Sequence, residues 1–358
     1  MTNILLTVIM VTEGGDVVKR ILIIFSITIF VLSSCSGNRT ERTQSSSVSE
    51  DTAGRTTEQI TEQITASGDD ISTHDQPHSS SSTDDTPTDG KFVSKAVWWW
   101  NAGSVVTQSD REKYFTFLHE NGVNELYFCQ GTYNAATLDK MFASAEKYSM
   151  RVSYLTGDAS WILEGNVGLE KAIERFLEYQ NTREKGSGFY GMHLDIEPHQ
   201  LEDFFENRPY YIQRYCDTVL KASNRIHEEG YELEIDIPFW FDSDRDTVIN
   251  EKGESENVIS VLSRYVDTLC IMSYRDSAED ILQISSEEIA FARLSGCRVV
   301  CGVETYSLEG DHVSFKEEEK EKMNKELEKL LELLEDEEIS GYGVAIHYLD
   351  TWYNLKDM

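Results

Sequence analysis

The chain has 358 residues, which is enough for one large domain or two ordinary ones. Hydrophobic residues make up 40% of it, so a substantial core can form, and 64 acidic against 32 basic side chains give a formal net charge of −32. Such a charge repels nucleic acid and anionic lipid head groups. We therefore exclude both as partners and expect an extracellular protein that acts on neutral or cationic material.

The first predicted element is a secretion signal. Lys19 and Arg20 precede an apolar stretch at residues 21–32. This stretch is too short to cross a bilayer, which takes about 20 residues, but it has the length of a signal-peptide core. It runs into Leu-Ser-Ser-Cys, which resembles the bacterial lipobox, a motif that is cut before the cysteine. We predict a signal peptide over residues 1–34 and a lipidated Cys35 that anchors the protein in the cell membrane. The alternative is an uncleaved anchor.

Residues 1–17 stand ahead of the basic pair that should begin the signal. Residues 13–16 read Glu-Gly-Gly-Asp, as a ribosome-binding site would if it were translated in frame. We therefore expect translation to start at Val17 or Val18. After Cys35 the chain consists mainly of Ser, Thr, Asp, Glu and Gln up to about residue 89. Because such a segment cannot bury enough apolar surface to offset its ordering entropy, residues 35–90 are predicted to be a disordered linker.

Residues 91–358 alternate short apolar runs with amphipathic ones. The predicted strands are 96–100, 125–129, 152–155, 191–196, 233–239, 268–273, 298–303 and 343–347. The predicted helices are 110–121, 138–148, 169–183, 210–229, 256–266, 286–294 and 314–337, the last starting at a capping box of Ser314 and Glu317. Eight alternating strands over about 265 residues are typical of an α/β fold of the (β/α)8 TIM-barrel type. An open doubly wound sheet is the alternative, but no Gly-rich phosphate loop follows any strand.

The fourth strand carries the clearest chemical signal. It reads Gly-Met-His-Leu-Asp-Ile-Glu-Pro from residue 191, so His193, Asp195 and Glu197 share one face. The apolar residues between them suit the helix side, which turns the polar set toward the barrel mouth, where barrel active sites lie. Two carboxyls so close should raise the pKa of one of them, which suits a general acid. A buried structural pair is the alternative.

This strand resembles that of glycoside hydrolase family 18, the chitinase-like barrels, whose motif is D-G-x-D-x-D-x-E. Residues 190–197 match its glycine, last Asp and Glu, but Tyr190 and His193 replace the two earlier Asps. The family's Met-x-Tyr corresponds to residues 272–274, followed by Arg275 instead of Asp, and the Trp at its eighth strand corresponds to Trp352. The resemblance implies that Glu197 is the proton donor, that Asp195 orients an acetamido group and that Tyr274 binds the reacting carbonyl.

A second carboxylate offers another mechanism. Glu304 ends the seventh predicted strand, and retaining glycosidases of a large barrel clan, which this arrangement resembles, place a nucleophilic Glu there. Retention requires the two carboxyls to be about 5–5.5 Å apart. Glu304 is equally open to a structural role, as a rim carboxylate paired with Arg275 or another cation.

Aromatic and polar residues at several strand ends suit a sugar, since pyranose rings stack on aromatic faces and their hydroxyls need polar partners. The predicted substrate-binding residues are Trp100, Trp161, His193, Asp236, Trp240, Arg275, His347 and Trp352. A metal-dependent hydrolase, with His193, Asp195, Glu197 and His199 joined by Asp236 and His347, is one alternative. A carbohydrate-binding barrel without activity is another.

We therefore predict a surface-anchored glycoside hydrolase that cleaves a cell-wall or environmental glycan, a polysaccharide or a peptidoglycan-type polymer. We expect it to be a monomer and to need no metal or cofactor. Beyond Cys35, the five remaining cysteines lack the spacing of a zinc motif or a disulfide framework, and we interpret them as buried thiols.

Overall fold

The computed structural model describes residues 92–184, 186–310 and 312–356. The predicted signal peptide, Cys35 and the linker lie outside these residues. The described residues form ten strands: β1 (Phe92–Trp99), β2 (Glu125–Phe128), β3 (Arg151–Thr156), β4 (Gly191–Leu194), β5 (Glu232–Pro238), β6 (Thr247–Ile249), β7 (Ser255–Asn257), β8 (Thr268–Met272), β9 (Arg298–Glu304) and β10 (Gly341–His347). Eight of them close into a parallel barrel in the order β1-β10-β9-β8-β5-β4-β3-β2, which confirms the predicted TIM-barrel class.

Helices surround the barrel. They are α1 (Gln108–Glu120), α2 (Ala135–Lys147), α3 (Gly168–Gln180), α4 (Arg208–Glu228), α5 (Val258–Leu262), α6 (Ala278–Ile284), α7 (Ser286–Ser295), α8 (Lys320–Glu335) and α9 (Leu349–Tyr353). None of the helices in the described ranges is long and apolar enough to span a bilayer. Side-chain caps fix several starts: Thr107 accepts from the Asp110 amide and Asn134 from the Thr137 amide.

Two predicted helices differ from those observed, and the second also lacks its predicted cap. The predicted helix at 256–266 is only the five-residue α5, because β6 and β7 form a small antiparallel hairpin ahead of it. The helix predicted from residue 314 begins at Lys320. Ser314 instead caps a short 3-10 turn, Phe315–Glu317, by accepting from the Lys316 amide at 3.0 Å. No capping box to Glu317 forms there, and the polar stretch before Lys320 is loop.

Two cores lie on either side of the strands. The larger one fills the space between barrel and helices. The inner one is small, and its buried members are Ala96, Trp98, Tyr127, Cys129, Leu155, Cys270, Val300 and Ala345. Polar residues fill much of the remaining interior, including Glu125, His193, Glu234 and Asp236, each at most 2% exposed. The barrel therefore contains charged layers beneath its mouth.

Candidate active site

The loop after β4 positions the two central carboxyls. β4 ends at Leu194, so Asp195 and Glu197 follow the strand at the carboxyl-terminal end of the barrel. The Asp195 amide still donates to the Thr156 carbonyl at 3.0 Å, which holds the loop against the end of β3. This close approach requires a glycine at position 157, because a Cβ there would lie 1.8 Å from the Asp195 carbonyl oxygen.

Asp195 and Glu197 are neighbouring carboxyls with opposite pKa shifts. Burial, the charge of Glu197 and the charge of Asp236 raise the pKa of Asp195 well above its ordinary value. Burial would also raise the pKa of Glu197, but its hydrogen bond and charge interaction with His199 lower it. One carboxyl is therefore kept protonated, as the spacing predicted, and that carboxyl is Asp195. Glu197 is the ionised partner, and its side chain is 21% exposed.

His199 is a site residue to which the sequence analysis gave only a metal-binding role. Its Nε2 lies 3.0 Å from Glu197 Oε2. The imidazole also packs edge-on against Trp240, with ring centroids 5.4 Å apart. Trp240 is half-buried and meets Phe205, whose side chain is exposed, at 6.4 Å. An aromatic surface thus leads from Glu197 to the rim of the mouth. Phe205 was not predicted as a substrate-binding residue because it does not lie at a strand end.

Tyr274 lies in the same neighbourhood. Burial raises the pKa of its phenol well above the ordinary value, and the charges of Glu304 and Glu197 act in the same direction. The hydroxyl is therefore a protonated donor near the carboxyl pair. Its ring stacks on His347 at 6.0 Å. Arg275 is half-buried beside it, donates to the Tyr274 carbonyl at 2.7 Å and lies over the Phe239 ring.

Glu304 is held by groups on all sides. Its Oε1 accepts from the amides of Thr305 and Tyr306, both at 2.7 Å, and its Oε2 lies 2.7 Å from His347 Nδ1. Burial would lower the pKa of His347, but the charge and hydrogen bond of Glu304 raise it. The partner of Glu304 is therefore His347, through its Nδ1, and both carboxylate oxygens are occupied. This arrangement suits a structural role better than the predicted nucleophile.

His347 connects Glu304 to the mouth. Its Nε2 receives the indole N–H of Trp100 at 3.2 Å, and Trp100 is half-buried. β10 ends at His347, and the half-buried Tyr348 follows it and packs on the inner core. Tyr348 is the aromatic side chain that directly follows the eighth barrel strand. The sequence analysis missed Tyr348 because the family motif has a tryptophan at this strand, which was matched to Trp352.

Three predicted substrate-binding residues are buried away from the mouth. Trp352 is 0% exposed and packs on Phe117 in the outer core, at a ring distance of 4.8 Å, because it lies on α9 beyond the strand end. His193 is 0% exposed and Asp236 is 2% exposed. Both point inward as predicted, but they lie within the barrel interior. The burial of these three side chains argues against the direct sugar contact that the sequence predicted for them.

His193 and Asp236 belong to a charged network that runs through the interior. His193 Nδ1 is 3.4 Å from Glu234 Oε2, and its Nε2 is 2.9 Å from Asp236 Oδ1. Burial would lower the pKa of His193, but Asp236 and Glu234 raise it to about 10. Arg298 continues the network by contacting both Glu234 and Glu125. His193 is therefore an imidazolium that supports the floor of the site.

The proposed metal set is only partly assembled. Among the described residues, His193 and Asp236 group with Cys270, whereas Glu197 and His199 pair with each other. Trp161 is half-buried on the turn Ala159–Ile162 after β3, at the rim. The mouth thus combines a protonated Asp, an ionised Glu, a phenol donor and half-buried aromatic rings, which together can protonate a leaving group and bind apolar faces.

No protein-family model matches the sequence, and no curated protein matches it. Solved structures do resemble the fold. The C-terminal domain of a presumed chitinase from Desulfitobacterium hafniense DCB-2 is 12% identical with a TM-score of 0.50, covering 74% of this chain and 95% of that one. A GH18 chitinase from Pseudoalteromonas aurantia is 8% identical, with a TM-score of 0.48 and coverage of 72% and 94%. A GH18 chitinase from Cycas revoluta, in complex with (GlcNAc)3, is 12% identical, with a TM-score of 0.47 and coverage of 72% and 96%. At these identities the chain shares a barrel fold with glycoside hydrolases.

Proposed function

We propose that this protein is a glycoside hydrolase in which Glu197 protonates the leaving group. The observation that carries the proposal is the placement of Asp195 and Glu197, two carboxyls with opposite pKa shifts, past the end of β4 beside the Tyr274 phenol. Two close carboxyls tend to hold one proton between them. The shifts favour that proton on Asp195 in the free protein, and its transfer to Glu197 makes Glu197 an acid next to the exposed side of the mouth.

The surroundings of Glu304 and Tyr274 favour a substrate-assisted mechanism over one with a carboxylate nucleophile. Glu304 has both oxygens engaged by His347 and two amides, so attack by Glu304 would break these contacts. Tyr274, in contrast, keeps its proton and can donate to a carbonyl oxygen of the substrate. A substrate with an acetamido group would present such a carbonyl. The proposed substrate class is therefore an N-acetylated glycan, of the chitin or peptidoglycan type.

The surface around the pair also fits a glycan. Trp100, Trp161 and Trp240 are half-buried, so each keeps an accessible part, and Phe205 extends the surface outward. Aromatic rings of this kind bind the apolar faces of sugar rings. The net charge of −32 disfavours polyanionic glycans and leaves neutral or partly deacetylated polymers.

A binding barrel without activity is the competing function, because His193 and Tyr190 replace two carboxyls of the family motif. The experiment is to incubate the purified protein with N-acetylglucosamine oligosaccharides and peptidoglycan fragments, measuring new reducing ends and binding in parallel. Release of reducing ends supports the hydrolase. Binding without any release over long incubation contradicts it and selects the binding barrel.

We further propose that the barrel is tethered to the outer face of the cell membrane through Cys35. Residues 19–35 support this with their basic pair, short apolar stretch and lipobox-like ending. A Cys35→Ala variant should lose labelling by palmitate and appear in the soluble fraction. If the parent protein itself takes no label in a bacterial host, the anchor is wrong.

A further inference from the structure

Three buried side chains meet below the carboxyl pair, on adjacent strands of the barrel. They are His193 on β4, Asp236 on β5 and Cys270 on β8, and they are at most 2% exposed. Asp236 and Cys270 are direct neighbours in the register of β5 and β8. One nitrogen, one oxygen and one sulfur atom from these residues all lie within 4.8 Å of one another.

The contact between His193 and Asp236 is close but is not a formed hydrogen bond. His193 Nε2 and Asp236 Oδ1 are 2.9 Å apart, yet neither atom has an aligned hydrogen-bond partner. Buried polar atoms are rarely left so, because an unmade hydrogen bond is costly. Two ligands held about 2.0–2.1 Å from a tetrahedral zinc ion stand about 3.3 Å apart. The observed 2.9 Å is about 0.4 Å shorter than this, so a small separation of the two side chains would place both atoms on a common ion.

The other polar atoms of the same two side chains are already anchored. Glu234 Oε2 lies 3.4 Å from His193 Nδ1, so Nε2 is the ring nitrogen that faces Asp236, and a metal ion bound there would displace its proton. The Trp98 indole N–H donates to Asp236 Oδ2 at 3.1 Å, which leaves Oδ1 available. Metal-binding histidines are typically oriented in this way by a carboxylate on the second ring nitrogen. His193 and Asp236 thus each have the kind of outer partner that orients a metal ligand.

We propose that His193 Nε2, Asp236 Oδ1 and Cys270 Sγ bind one zinc-type divalent cation beneath the catalytic mouth. Imidazole, carboxylate and thiolate together suit zinc, whereas magnesium and calcium prefer oxygen ligands alone. A carboxylate and a thiolate balance the double positive charge inside the barrel. The fourth position is left for a water molecule. The site lies outside the carboxyl pair and does not depend on hydrolase activity, so it can be tested without a glycan.

The experiment uses the full chain, treated with a chelator and dialysed, and then titrated with Zn²⁺ and Co²⁺. We expect one tightly bound zinc ion per chain, a higher Tm, and a cobalt spectrum with the charge-transfer band of a thiolate ligand. Cys270→Ser should abolish that band and weaken zinc binding at least tenfold. Cys301→Ser is the matched control, because Cys301 is a buried thiol on β9 outside the group, and it should keep both.

A second variant covers the case in which Cys270→Ser does not fold. Glu234→Gln keeps all three ligands but removes the carboxylate that orients His193, so it should retain the thiolate band with zinc affinity lowered on the order of 10–100-fold. A folded parent without a thiolate-to-cobalt band overturns the proposal. An equal zinc affinity in the parent and in folded Cys270→Ser also overturns it, because the metal would then be bound by carboxylates elsewhere.

Discussion

Arg298→Met tests how far the charged interior of the barrel depends on the guanidinium of Arg298, which shares Glu125 with Arg151. Arg298 contacts Glu125 at 3.1 Å and also contacts Glu234, and both carboxyls are 0% exposed. Methionine keeps much of the volume but leaves two buried carboxyls with fewer partners. Removing one partner of a buried ion pair typically costs about 3–5 kcal/mol. We expect the free energy of unfolding to fall by about that amount at pH 8.

The pH dependence of this loss has a definite sign. Burial and the charge of Glu125 raise the pKa of Glu234 from 4.5 to about 7, so its contribution to stability is lost as the pH rises from about 4.5 to about 7. Without the charge of Arg298, the ionised form of Glu234 becomes still less favourable in the folded protein. The deficit of the variant should therefore be larger at pH 8 than at pH 5, where Glu234 is protonated.

Urea unfolding followed by circular dichroism at both pH values measures this effect. The matched control is Arg225→Met, because Arg225 pairs with Glu229 at 2.6 Å on the exposed face of α4. The control should lose only about 0–1 kcal/mol. A loss below about 1 kcal/mol for Arg298→Met, or a loss that grows as the pH falls, would refute the reasoning.

Three further changes probe the site. Gly157→Ala introduces a Cβ 1.8 Å from the Asp195 carbonyl oxygen and should lower kcat/KM by about 100-fold through displacement of the pair; unchanged kinetics contradict the positioning role. His199→Leu removes the group that lowers the pKa of Glu197, so the acid limb of the kcat/KM profile against pH should move to higher pH; a fixed limb argues against the contact. Trp352→Ala should lower the free energy of unfolding, measured in urea, by about 3–5 kcal/mol while KM stays constant. A raised KM in the folded variant would indicate that Trp352 does contact the substrate.

The sequence predicted the barrel because the period of two in short strands and the amphipathic pattern of helices are local signals. It also placed His193, Asp195 and Glu197 on one face, since side chains alternate along a strand. The depth of a residue along the barrel axis, in contrast, does not follow from the local sequence pattern. His193 lies in a lower layer with Glu234 on the neighbouring strand, whereas Glu197 lies past the strand end with His199. Strand pairing, which decides these layers, could not be derived from a single segment.

Long-range partners account for the other differences. The carboxyl that stays protonated is Asp195 because His199 stabilises the charge of Glu197, and that contact depends on the turn Pro198–Gln200. The motif-based role of Trp352 failed because β10 ends five residues before it. The charged residues at the start of β2 and β9 were treated as ordinary strand positions, although Glu125 and Arg298 meet across the barrel.

The most direct test of the account is the Glu197→Gln variant, since glutamine keeps the shape of the side chain but has no proton to transfer. We predict that the release of reducing ends from a bound glycan falls on the order of 10²–10⁴-fold while glycan binding is retained. Glu202→Gln, at an exposed glutamate five residues along the same loop, is the control and should behave as the parent. Hydrolysis by Glu197→Gln at the parental rate would contradict the central claim.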